Sequence, residues 1–100
     1  MKEAIKITAI GITVTTGATS VVQAIPTNAA GQTARVVRVI CPVPSAYAYI
    51  LPGPSTATAT ANCIAVTANE QLILDVTGCT HIAHIQGSAA AKINIIPIEW

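Results

Sequence analysis

The stretch TGCTHIAHIQG, Thr77 to Gly87, sets a thiol and two imidazoles within six positions, at Cys79, His81 and His84. These residue types ligate zinc. With Asp75 just upstream they also supply the parts of a cysteine nucleophile, its imidazole base and an orienting carboxylate. The spacing argues against both. The segment reads as a strand, on which side chains at i and i+2 share a face, so Cys79 and His81 project together while His84 points to the other side. Zinc sites draw four ligands from two short motifs across a loop, and this cluster has no second motif, Cys41 and Cys63 being the remaining thiols. The carboxylates Glu3, Glu70, Asp75 and Glu99 occur singly, which gives no pair for acid–base work. TGATS and GPSTAT lack the lysine and the following helix of a phosphate loop. The expectation is no enzyme, no catalytic residue, no metal and no cofactor.

The elements that would position these residues are strands. Isoleucine, valine and threonine dominate, phenylalanine is absent, and turn residues recur at short intervals. In EAIKITAIGITVT the apolar set Ile5, Ile7, Ala9 gives way to Ile10, Ile12, Val14, a slip of one that calls for a β-bulge or a change of sheet. SVVQAI is a short strand closed by Pro26. In ARVVRVIC, Val37, Val39 and Cys41 share a face with Arg35, and Val36 and Ile40 share the other with Arg38, so the strand is central or sits against a partner. SAYAYIL sets Tyr47, Tyr49 and Leu51 opposite Ala46, Ala48 and Ile50. TATATANCIAV alternates small residues and reads as a strand at a tightly packed interface. NEQLILDV turns Leu72, Leu74 and Val76 inward. THIAHIQ and AKINIIPIE complete the set, with a second slip at Ile95–Ile96 and with Pro97 marking an edge or a bulge. The predicted fold is all-β: about eight short strands in one two-sheet β-sandwich over residues 1–100, of jelly-roll or immunoglobulin-like type.

Composition bears on what surrounds such a sandwich. A chain of 100 residues buries roughly two thirds of its unfolded surface. Charged residues make up 9% of it, against about 25% in an average soluble protein. A solitary small domain normally covers itself with mixed charge, so part of this apolar surface is expected to meet protein, in a homo-oligomer or a larger particle. The formal charge of +1, with Arg35 and Arg38 the only close basic pair, argues against nucleic acid. The lack of any run of about 18 apolar residues argues against a membrane span. Lys2 and Lys6 ahead of ITAIGITVTTGATSVVQA resemble a secretory leader, but interrupting threonines and Glu3 favour a folded segment. Three cysteines do not all pair within one chain, which points to free thiols and assembly inside a cell.

With aromatic residues at 3%, Tyr47, Tyr49 and Trp100 are the candidate anchors of an interface. Pro97, Ile98, Arg35 and Arg38 are the further candidates. From Ala65 onward the chain resembles the small structural proteins encoded beside the major capsid protein in many tailed bacteriophages. The resemblance rests on the turn with Asn69 and Glu70, LILDV, TGCTHIAHIQ, GSAAAK and INIIPIE, with ARVVRV earlier in the chain. It implies a capsid decoration or cement protein, a trimer or dimer that binds the major capsid protein on the virion surface after assembly in the host cytoplasm. Strand addition would use the N-terminal segment or the Pro97 edge. A neck or tail component, and a surface module that binds glycans through Tyr47 and Tyr49, are the alternatives.

Overall fold

Alternation of β-branched residues with Thr, Gln and Arg dictates strands, and strands form where that alternation has bulk to bury. The computed structural model describes residues 6–7, 11–28, 30–41, 47–67 and 71–99, with backbone alone at 6, 7 and 99. Its elements are β1 (Lys6–Ile7), β2 (Ile12–Thr15), β3 (Val21–Ala24), β4 (Val36–Ile40), β5 (Ala48–Gly53), β6 (Ile64–Val66), β7 (Gln71–Asp75), β8 (His81–Gln86) and β9 (Lys92–Glu99). Among the described residues there is no helix long and apolar enough to cross a membrane.

All pairings are antiparallel. Sheet A runs β1-β9-β4-β7, with β2 also on β9, and sheet B runs β3-β8-β5-β6. Because Ile98 and Ile95 pair with β4 on one side and with Ile7 and Ile12 on the other, β1 and β2 are two pieces of one interrupted edge strand. The result is two facing layers of four strands, as the sequence predicts. With β1 and β2 taken as one strand, every connection except β5–β6 crosses from one sheet to the other. That is the strand order of a jelly roll; an immunoglobulin-like sandwich keeps consecutive strands such as A and B together in one sheet.

The core lies between the sheets. Val37, Val39, Ile93 and Ile95 descend from sheet A onto Ala48, Ile50, Val66 and Ile82 of sheet B, and all are fully or almost fully buried. Each such Ile or Val contributes about 1.5–3 kcal/mol over leaving it in water. Small aliphatic side chains fill the space, consistent with a sequence that has no phenylalanine.

Two features depart from simple alternation. Ile7 pairs with Ile98 and Ile12 with Ile95, so β1–β2 spends two more residues than β9 between the same pairings, an interruption of two where the sequence predicts a slip of one. Gly11 sits in this break, where a Cβ would overlap the carbonyl oxygen of Ile95 and lie 2.8 Å from the Cα of Ile96. Pro97 is not at a sheet edge. It lies inside sheet A, opposite Val37, in a β9 that continues without a slip. The Thr16 N–H donates to the Ala91 carbonyl at 2.7 Å, so odd-numbered residues of β9 direct their backbone groups toward β1 and β2. The nitrogen of Pro97 therefore faces the broken strand, where its missing donor costs least.

The second departure is TATATAN. Only Ile64–Val66 of the expected strand forms; residues 54–63 run as a strap. Ala59 is buried and its N–H donates to Ser20 Oγ at 2.8 Å, beside the start of β3. The strap thus reaches from the end of β5 across to the opposite edge of sheet B. Alternating Ala and Thr offer too little apolar bulk to hold a paired strand in register.

Candidate interaction surfaces

The cysteine–histidine cluster does not converge. His84 faces inward, opposite Ile50 and Val21, and is 4% exposed. His81 lies on the other face of β8, its Nδ1 2.8 Å from Thr80 Oγ1. That separation follows the expected parity. The pairing of Cys79 with His81 on one face does not hold. Gly53 is opposite His81, yet its carbonyl also accepts from the Thr80 N–H at 3.1 Å, so two residues of one strand face one of the other, as in a bulge. The extra residue reverses the alternation, and Cys79 packs against the core instead. Among the described residues, no three His, Cys, Asp or Glu side chains gather as a metal site would require. Nδ1 of His84 is buried without a hydrogen-bond partner, and burial pushes its pKa below the usual histidine value.

Asp75 belongs to a different place. Its Oδ1 accepts from both the Thr77 hydroxyl, at 2.6 Å, and the Thr77 N–H, at 3.0 Å. These bonds, with a smaller contribution from Arg35, hold its carboxyl below the ordinary carboxylate range. An ionised carboxylate already satisfied by two donors is a poor proton acceptor. It lines a cleft of about 360 Å³ with Arg35, Asn28, Gln32 and Thr77 over a floor that includes Val36 and Ile98. Asn28 is fixed there, its Oδ1 accepting from the Ala30 and Gln32 N–H groups at 3.0 and 3.1 Å.

The residues singled out for an interface are dispersed. Tyr47 and Tyr49 stack edge to face, ring centroids 5.8 Å apart, on the outer face of sheet B. The Tyr47 ring lies over Gly87 so closely that a Cβ there would overlap it. Arg38 lies on the outer face of sheet A, opposite Ile73 and Ile96, with a buried Nε that has no partner. Pro97 and Ile98 are buried and offer no surface: Pro97 belongs to an internal strand and Ile98 to the cleft floor. Trp100 lies outside the described residues. The tyrosines are on sheet B, while the carboxylates of the described strands, Asp75 and Glu99, are on sheet A.

A larger pattern emerges only once strands are assigned to sheets. The charged residues that fall in strands, Lys6, Arg38, Asp75, Lys92 and Glu99, all belong to sheet A, and no strand of sheet B carries an Asp, Glu, Lys or Arg. The outer face of sheet B is uncharged: Val22, Leu51, Tyr49 and Ile85 are half-buried on it, Ala65 is exposed, Ala83 on the same face is fully buried, and the tyrosine pair stands at one end. Among the described residues, the two large apolar side chains left exposed, Val21 and Ile64, also belong to this sheet. The signal was present in the sequence as charge-free segments, but it could not be read before topology joined them. No family model, no curated protein and no solved structure matches the chain.

Proposed function

We propose that this protein is a structural virion component of a tailed bacteriophage, one that decorates and stabilises the capsid by binding the shell of major capsid protein as a homo-oligomer. The observation that carries this reading is the segregation of charge: one sheet holds all the charged strand residues, and the other turns an uncharged, partly aromatic face to its surroundings. A jelly roll hosts many functions, so the fold alone is not the ground. A charge-free sheet face suits burial against protein, because nothing ionised has to be desolvated when it docks. Apolar area removed from water is worth roughly 25 cal/mol per Å², offset by association entropy, and many copies on one lattice act together. The particle is what the sequence resemblance implies, and the uncharged face is the surface by which the protein would attach.

Counting copies per particle by quantitative mass spectrometry of purified virions tests this. Hundreds of copies are expected. About a dozen would move the protein to the neck or tail, and absence from the particle would overturn the reading.

A further inference from the structure

The free edges of sheet B are β3 and β6. Val21 stands opposite His84, His84 opposite Ile50, and Ile50 opposite Ile64, so one row of side chains on a single face runs from edge to edge. Its two ends are the exposed ones, Val21 at 53% and Ile64 at 38%. Neither edge strand carries a charge or a proline, the usual devices that keep a free edge from pairing.

We infer that sheet B continues from one copy of the chain into the next, the β3 edge of one molecule pairing with the β6 edge of its neighbour, Val21 opposite Ile64. Three features make the two edges fit each other. An antiparallel sheet of four strands has edges of opposite direction, so head-to-tail joining continues the antiparallel order. The backbone polarity also matches. The Ile25 N–H donates to the Thr80 carbonyl, which turns the backbone groups of Val21 and Gln23 toward β8 and those of Val22 and Ala24 outward. The Gly87 N–H donates to the Tyr47 carbonyl, which by alternation through β5 turns Ile64 and Val66 toward β5 and Ala65 outward. Val21 opposite Ile64 is then a non-hydrogen-bonded pair, the kind with the closest side chains. Finally, the joint buries the two exposed apolar ends against each other and extends the row. Such a head-to-tail contact closes into a ring or runs on as an open chain.

This deepens the homo-oligomer part of the proposed function and does not depend on the shell. Sedimentation velocity of the full chain over a wide concentration range, beside Val21→Lys and Ile64→Lys, tests it. The native chain should gain mass with concentration, and each lysine should weaken association at least about tenfold. In the double variant Val21→Cys/Ile64→Cys, the two positions of one molecule are three strand spacings apart, about 14 Å, too far for a disulfide. An oxidised link mapped between positions 21 and 64 must therefore join two molecules. A chain that stays monomeric throughout, lysine variants that associate like the native chain, or links of 21 to 21 or 64 to 64 would overturn the inference. If the isolated chain is monomeric and the lysine variants instead lose binding to capsids, the edges take strands of the shell and the inference fails. If association is as expected but virions lack the protein, only the capsid reading falls.

Discussion

His84 is the residue whose environment conflicts most with its chemistry. It sits between Val21 and Ile50 on the inner face of β8, with Nδ1 buried and unpartnered. Burial favours the neutral ring, so the folded pKa lies below the ordinary value of 6.5. The unfolded chain then takes up a proton at a pH where the folded one does not, so stability is fully present above pH 6.5 and is lost as pH falls from there through the folded pKa. His84→Leu fills a similar volume without a polar atom to satisfy. It should raise stability at neutral pH by about 1 kcal/mol and remove the loss of stability between pH 7.5 and 5.5. Urea unfolding at the two pH values measures this, and a variant that keeps the native pH difference would refute it. Asp75 leaves that window undisturbed, because its lowered pKa acts in the opposite range: its contribution is present above 3.8 and is lost as pH falls through the lower folded value. That His84 faces away from His81 was legible from strand parity, but that its side is the inner one was not. Nor was the reversal at Cys79, because the bulge at Thr80 depends on Gly53, a partner 27 residues away in the chain.

At the scale of elements, the sequence was most legible where side chains have bulk. The alternation in LILD places Leu72 and Leu74 on the core side, and in VVRVI and INI it sets Val37 with Val39 and Ile93 with Ile95 on shared faces; the structure turns all of these to the core. TATATAN alternates as regularly but is a strap, since period alone cannot supply the buried area that holds a strand. The edge reading of Pro97 failed for a related reason: a missing donor is tolerated inside a sheet if the neighbouring strand is interrupted there, and that interruption is a property of the pair. Gly11 marks the interruption and makes it testable. Gly11→Ala forces a Cβ against the Ile95 carbonyl and the Ile96 backbone, so it should cost about 1–3 kcal/mol, the range for overpacking. Gly17→Ala, where a Cβ meets nothing within 4 Å, should stay within about 0.5 kcal/mol. Equal urea midpoints for the two variants would mean that the close approach is not a constraint.

At the scale of the whole molecule, the low charge count predicted that protein covers part of this surface, but not which part. Composition has no direction. Topology supplies one, by collecting the charged strands into sheet A and leaving the strands of sheet B without charge. The two sheets should therefore respond differently to added charge. Tyr49→Lys with Ile85→Lys sets two cations on neighbouring positions of the outer face of sheet B, since Tyr49 and Ile85 are paired. Thr13→Lys with Thr15→Lys adds the same charge to exposed positions of β2 in sheet A. If the uncharged face docks on the shell, the first pair must bury two ammonium groups without partners, and several kcal/mol of desolvation should weaken binding by about a hundredfold or more. The second pair stays in water and should change binding by less than about threefold. Co-sedimentation with capsids lacking the protein, after circular dichroism has confirmed that both variants fold, reads the difference. Loss of binding in the sheet A variant, with the sheet B variant unaffected, would mean that the molecule docks by its charged layer and exposes the uncharged one.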